Sequence, residues 1–353
     1  MISGCKNTTI PSSVTSIGKS AFSDCTGLTS VTIPEGVTSI GNRAFARTGL
    51  TSVTIPSSVT RIGKSAFSDC TGLTSVTIPE GVTSIGESAF ENCKGLTSVT
   101  IPSSTTSIGE YAFLRCESLT SVTILSNVYT SISSRAFAVC TSLTIVTLNC
   151  AYVFDWFAGM TSIQEVTLGE SVTSISNDAF NGTGWYEAQP DGLLYLDNWL
   201  LGYKGDKPTG DLAIADGTRG IAQSAFRDCT GLTSVTSFIK EPFTIDNYIF
   251  SVYTTATLYV PAGTKGKYEA TPGWNKFRSI LEIEMPEQPK GDVNGDQTVD
   301  VADIASVIDC MAGSEAVDKA AADVNGDGTV DVADIATIIS EMAAQARQQD
   351  IED

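Results

Sequence analysis

The sequence predicts a solenoid of short stacked repeats with a small separate module at its C-terminal end. Three observations lead there. Leu28, Leu50, Leu73, Leu96, Leu119 and Leu143 open near-copies of one segment at spacings of 22, 23, 23, 23 and 24 residues, and worn copies begin at Ile163 and Leu232. Each copy carries the same internal pattern of strand, Pro turn and Ala-Phe pair. Near the other end a twelve-residue segment occurs twice, 31 residues apart. A fixed period of about 20–50 residues marks a repeat array, because one unit cannot bury its apolar face alone.

The unit Leu73 to Gly95, LTSVTIPEGVTSIGESAFENCKG, shows why each part should fold as it does. Val76, Thr77 and Ile78 alternate as a half-buried strand does. Pro79, Glu80 and Gly81 turn the chain. Val82 and Ile85 point inward from a second short segment, while Ala89, Phe90 and Cys93 supply bulk. Stacked coils lie about 4.8 Å apart, so equivalent residues form ladders. One ladder is Phe22, Phe45, Phe67, Phe90, Phe113, Phe137, Phe180 and Phe226; another is Cys25, Cys70, Cys93, Cys116, Cys140 and Cys229. The unit resembles the leucine-rich repeats of BspA-like bacterial surface proteins. That resemblance implies a β-rich right-handed leucine-rich-repeat superhelix with short convex segments, and a surface or adhesin-like role toward host proteins or other cells.

Composition narrows the chemistry. The net charge is −19, and the stretch from Glu287 onward holds 16 acidic and 3 basic residues, hence −13 of it. That balance argues against nucleic acid, which needs a basic footprint. The chain has no histidine, which removes Ser-His-Asp and Cys-His activation and any His-ligated metal. An enzyme is therefore not expected. Nine cysteines are present without a CxxC. Six share one repeat position and read as small buried hydrophobes, with pairing between adjacent coils as the other reading. No apolar run is long enough to span a membrane. The N-terminus lacks a signal-peptide pattern, yet Cys5 to Ile10 already fills a strand slot. We expect a fragment whose export signal lies upstream, and an extracellular or cell-surface location.

Taken in order, residues 1–285 are the solenoid. Between Leu143 and Ile163 the spacing falls to 20, with Tyr152, Phe154, Trp156 and Phe157 intruding. An insertion is expected at about 185–220, where GLLYLDNWLLGYKG alternates around Asp197-Asn198, a hairpin signal. Its aromatics, Trp185 and Trp199 among them, read either as a sugar-stacking platform or as the anchor that packs the hairpin onto the coils. A Thr/Ser ladder including Thr74, Ser75, Thr97 and Ser98 lines the strand face. It reads as a surface for a protein, a glycan or ice, or as a solvated face rich in β-favouring residues. Residues 257–285 form a closing strand and a lid with Tyr268, Trp274 and Phe277; residues 286–290 are a stiff linker.

The duplicated segments are DVNGDQTVDVAD at 292–303 and DVNGDGTVDVAD at 323–334. Oxygen donors at loop positions 1, 3, 5, 9 and 12, with a backbone carbonyl at 7, surround calcium in the EF-hand manner. The donors are Asp292, Asn294, Asp296, Thr298, Asp300 and Asp303 in the first loop. In the second they are Asp323, Asn325, Asp327, Thr329, Asp331 and Asp334. Two Ca²⁺ ions are expected, with folding tied to them. Each loop runs into an apolar stripe: Ile304, Val307, Ile308 and Met311, then Ile335, Ile338, Ile339 and Met342. Asp at the twelfth place, and a helix only after the loop, make residues 291–345 resemble dockerins, which plug secreted proteins into cohesin partners; 346–353 is a tail. By that resemblance Val301, Ala302, Val332 and Ala333 would touch a cohesin. Gln297 departs from the Gly usual at loop position 6, which weakens the first site. The function expected is a non-enzymatic surface-binding protein, its solenoid recognising a protein, host matrix or glycan and its C-terminal module attaching it through calcium. The alternatives are a glycan-binding or glycan-degradation accessory, or a structural spacer.

Overall fold

The computed structural model describes residues 8–125, 131–133, 135–284, 289–294, 298–313, 317 and 319–352. Two compact units divide the chain, Met1–Asp197 and Asn198–Asp353.

In the first unit the repeat becomes a coil with two short strands. The opening strands include Ser52–Thr54, Ser75–Thr77, Ser98–Ile101, Ser121–Ile124, Ile145–Leu148 and Glu165–Leu168. Their pairing is parallel and steps one repeat at a time: Val99 lies against Val122, Val122 against Val146, and Val146 against Val166. Side chains alternate as the sequence dictates, Val and Ile inward, Ser and Thr outward. A second parallel sheet is built from two-residue strands, with Ile17, Ile40, Ile62, Ile85, Ile108 and Ile132 in register. Between the two strands the Pro-Glu-Gly coils turn with Val82 N–H donating to Pro79 O and Gly81 at φ 104°, the left-handed value that a type II turn requires.

Neighbouring coils interlock at this turn. Glu80 accepts from the Ser103 N–H and hydroxyl and from the Ser104 N–H, at 3.0–3.2 Å. The Gly81 N–H donates to Ser104 Oγ, which donates in turn to Val82 O. Pro-Glu-Gly and Pro-Ser-Ser coils therefore fit each other as a pair, and the same contact recurs from Gly36 to Ser58.

The return segment runs in alternating handedness. Two residues per coil take positive φ: Ser20 and Asp24, Arg43 and Arg47, Ser65 and Asp69, Ser88 and Asn92, Tyr111 and Arg115. Alternate N–H groups then point at the next coil, as Ser65 N to Glu87 O, Phe67 N to Ala89 O and Asp69 N to Glu91 O do. The coils approach so closely here that a Cβ on Gly86 would lie 2.7 Å from the Gly63 carbonyl carbon, and one on Gly63 equally close to Gly41. This explains the glycine that follows Ile40, Ile62, Ile85 and Ile108.

Inside, the phenylalanines stack with ring centroids 5.1–5.2 Å apart from Phe22 to Phe137. The next ring is Phe157, at 5.4 Å from Phe137, and not Phe180. The short 20-residue interval is thus a complete coil, with Trp156 and Phe157 buried in the core and Tyr152 exposed. All eight described cysteines are buried and none forms a disulfide with a described residue; thiols donate to the carbonyl of the preceding coil's Phe, as Cys93 does to Phe67 O at 3.3 Å. Burial raises the Cys93 thiol well above its ordinary range and pushes Cys150 up to about 12, so these thiols stay protonated.

In the second unit, Trp199–Lys204 pairs in parallel with Gly220–Ile221. The strands Gly210–Ile214, Leu232–Ser237, Thr257–Pro261 and Ser279–Ile283 form one parallel sheet in which Val235, Leu258 and Ile280 are in register. The last of these strands follows the expected lid. That lid is a helix, Lys265–Ala270, and a 3₁₀ turn, Trp274–Lys276, with Tyr268, Trp274 and Phe277 buried. Its polar tips are satisfied: Tyr268 O–H donates to Ile239 O at 2.7 Å and Trp274 Nε1 to Phe243 O at 2.9 Å. The strands Gly192–Leu196 and Trp199–Lys204 flank Asp197 and Asn198, whose φ values of 47° and 61° are those of a primed hairpin turn. Helices Val301–Met311, Lys319–Ala322 and Val332–Glu352 follow; the last continues through the stretch expected to be a tail.

Candidate functional site

The site is built from two loop-helix joints. In the first, Asp300 caps helix Val301–Met311 by accepting from the Ala302 N–H at 2.7 Å. Asp303 reaches back to accept from the Asp300 N–H at 2.8 Å, closing a capping box. The second joint repeats this: Asp331 accepts from Ala333 N–H at 2.7 Å, and Asp334 from Asp331 N–H at 2.9 Å. Loop positions 9 and 12 therefore start the helix and fasten the loop to it. Asp303 also accepts from Val293 N–H and Asn294 N–H, and Asp334 from Asn325 N–H, so each twelfth residue ties the loop's beginning to its end.

Asp303 and Asp334 are fully buried and Asp292 nearly so. Asn294 and Asp323 are half-buried, whereas Thr298, Asp300, Asn325, Asp327, Thr329 and Asp331 are exposed. Asp296 and Gln297 lie outside the described residues. In the second loop Asp323 accepts from Asp327 N–H and Gly328 N–H, and Asp327 accepts from Thr329 through both its hydroxyl and its N–H. Those Thr329 contacts hold the Asp327 carboxyl below its ordinary range. The carboxylates thus face backbone N–H groups, and no cluster of acidic, Cys or His side chains gathers round a common centre among the described residues. The donor set nevertheless suits a hard cation. It is all oxygen, neither loop contains a Lys or Arg, and each holds a buried carboxylate at its twelfth place. Gly328 sits at φ +87° at loop position 6, a backbone that a Gln would adopt only under strain.

The helices divide their apolar stripe between core and surface. Val307 and Ile338 pack in a cluster with Val293, Val299, Cys310 and Ala322, and Ile304, Ile335 and Met342 lie against it. Val301 and Val332 are each 69 % exposed, and Ala302 and Ala333 are exposed beside them. Ile308, Ile339 and Met311 are also exposed, at 51 %, 53 % and 44 %. Sequence reasoning put them in one apolar stripe with the core residues and did not divide it. The signal for the division was width: a Val seven residues before each Ile belongs to the same helix face, and a module this small cannot cover the whole stripe.

The solenoid's candidate face reads differently from the sequence. Thr74 and Thr97 are exposed, but their hydroxyls donate to Thr51 O and Thr74 O of the preceding coil at 3.1 and 3.4 Å. Ser75 and Ser98 are exposed on the same face. Trp185 is half-buried, edge-on to Phe180 at 5.8 Å. Trp199 is 4 % exposed, and its ring occupies the space where a Cβ on Gly220 would sit. Of its two readings this leaves the packing anchor and removes Trp199 from the possible ligand face, since a buried ring has no surface to offer a sugar.

Residues 2–116, 70–187 and 204–288 match the BspA type Leucine rich repeat region, in 6 copies. The chain belongs to the BspA-type leucine-rich repeat family. Residues 290–343 match the Dockerin type I domain, so this repeat protein carries a dockerin at its C-terminal end. Among solved structures it is similar to a leucine-rich repeat protein from Bacteroides ovatus, at 22 % identity over 78 % of this chain and 68 % of that one, TM-score 0.31. The T. pallidum leucine-rich repeat protein TpLRR is 27 % identical over 47 % and 69 %, TM-score 0.35. The pneumococcal vaccine antigen PcpA is 18 % identical over 78 % and 79 %, TM-score 0.34. No curated protein matches the chain. BspA-type repeats and dockerins are typically non-catalytic binding modules of surface or secreted proteins; type I dockerins bind calcium and imply a cohesin partner. No described helix of this BspA-type protein is long and apolar enough to cross a membrane.

Proposed function

We propose that this BspA-type protein is a surface-displayed or secreted recognition element, attached to a cohesin-type partner by calcium-dependent docking of its C-terminal module. Two Ca²⁺ ions would be held, one by Asp292, Asn294, Asp296, Thr298, Asp300 and Asp303, the other by Asp323, Asn325, Asp327, Thr329, Asp331 and Asp334. The metal would supply the charge that lets four carboxylates share each loop; the chain supplies the capping boxes that carry this order into the helices. The observation that carries the reading is the exposure of Val301 and Val332, 69 % each, at the first turn of helices whose loops close on a buried Asp. An isolated stalk has no reason to present two β-branched apolar residues to water at equivalent places. The domain boundaries that go with this reading are 1–285 for the solenoid and 291–345 for the docking module.

The test immobilises a panel of recombinant type I cohesin modules and passes the full chain over them in calcium and in chelator. Retention in calcium alone, lost in Val301→Asp/Val332→Asp, is the expected result. Retention that ignores calcium, or that survives the double substitution, overturns the proposal.

A further inference from the structure

One coil of the array breaks the copied pattern. Where its neighbours read Ser65-Ala66-Phe67-Ser68-Asp69-Cys70, it reads Arg43-Ala44-Phe45-Ala46-Arg47-Thr48 and is one residue shorter. At this coil the return segment opens into a trough of about 480 Å³, lined by Arg43, Arg47, Asp24, Asp69, Ser65 and Ser68 among others. That volume lies in the range of small-molecule sites.

The lining is almost wholly polar. Arg47 bridges Asp24 and Asp69 at 3.3 and 3.6 Å, and Asn92 donates to Asp69 at 2.7 Å, so these carboxylates are fixed. Ser65 and Ser68 are each only 9 % exposed, and neither hydroxyl hydrogen-bonds another described residue. The Arg43 guanidinium is exposed on the trough wall with no ion pair or hydrogen bond to a described residue. Among the described residues Trp199 Nε1 is the one fully buried side-chain polar atom without a partner, so the Ser65 and Ser68 hydroxyl oxygens reach solvent and are open to a ligand.

We infer that this trough binds a short neutral oligosaccharide through Arg43, Arg47, Ser65 and Ser68. Sugar hydroxyls both donate and accept. The trough offers guanidinium donors, carboxylate acceptors and hydroxyls that do both. Its two arginines stand against Asp24, Asp69 and Glu91, so the charges nearly cancel and favour neither an anionic polymer nor an amine. The inference is independent of the C-terminal module.

The full chain is titrated with neutral di- and trisaccharides (cellobiose, xylobiose, mannobiose, lactose, N-acetylchitobiose) by saturation-transfer NMR and calorimetry, with glucuronic acid and glucosamine oligomers as charged arms. Arg43→Ser/Arg47→Asn introduces the residues found at the equivalent positions Ser88 and Asn92, and removes both guanidiniums without setting a third carboxylate beside Asp24 and Asp69. Ser68→Ala removes one of the two hydroxyls. At least one neutral sugar binds saturably, and the double substitution weakens it roughly tenfold or more, the scale of a charged hydrogen bond; Ser68→Ala weakens it less. Binding of no neutral sugar, preference for a charged arm, or affinity unchanged in the double substitution overturns the inference.

Discussion

The solenoid and the dockerin solve the same problem with opposite materials. A solenoid coil contributes Val, Ile, Phe and Cys to ladders that its neighbours complete, and its Thr, Ser and Gly let strand and return segment stack at backbone distance. The dockerin has a core of a few apolar residues, Val307 and Ile338 at its centre, and relies on acidic loops folded back on themselves. Order in the first comes from copying, since each coil is the template for the next. In the second, under the calcium reading proposed above, it comes from charge and depends on what the solution supplies. Ladder stability should be indifferent to ions, and loop stability should follow them.

The largest effect expected on the ladder side comes from Phe90→Ala. Phe90 is stacked on both Phe67 and Phe113, and truncating such a ring costs about 3–5 kcal/mol. Differential scanning calorimetry should show the solenoid transition fall while the helical signal of residues 301–342 keeps its calcium response. Gly86→Ala comes next. Its Cβ would sit 2.7 Å from the Gly63 carbonyl carbon, and overpacking against backbone costs about 1–3 kcal/mol, read as a lower denaturant midpoint at unchanged slope. On the loop side, Gln297→Gly should tighten calcium binding at the first of the two proposed sites by making its sequence a copy of the second loop, where Gly328 takes φ +87°. Calorimetric calcium titration would then give two nearly equal sites in place of two unequal ones.

The smallest expected effect is a pH dependence at the coil turn. The Ser103 and Ser104 donors lower the Glu80 carboxyl, so its contribution is complete above the unfolded Glu value near pH ~4.3 and vanishes as pH falls through the lower folded value. Because Glu80 is exposed, this amounts to a few tenths of a kcal/mol at most. Glu80→Gln should flatten the acid limb of the stability curve slightly and leave neutral pH almost unchanged.

Much of this division was legible from residues alone. Strand register followed from Val and Ile recurring at fixed places, because parallel pairing one repeat apart is the only way to stack like on like. The two helices were legible because each follows a copied loop and opens an apolar stripe. The return segment was not. Asp24 and Asn92 belong to types that tolerate left-handed backbone, but Ser20, Arg43 and Tyr111 hold the same geometry without that signature, imposed by N–H groups that must reach the next coil. Phe157 escaped notice because ladder membership is a matter of place in the coil, and the coil had lost residues. Trp199, Ile308 and Ile339 stayed undecided for one reason: periodicity says which side chains share a face, not whether anything covers it.

The central claim is that calcium orders the dockerin while the ladders order the solenoid without it. Hydrogen–deuterium exchange of the full chain, in calcium and then in chelator, measures both regions at once. The account predicts that chelation strips protection from peptides spanning 292–342 and leaves those containing Phe67, Phe90 and Phe113 unchanged. Equal protection of 292–342 in both conditions would contradict it, and so would loss of protection in the Phe-ladder peptides on removing calcium.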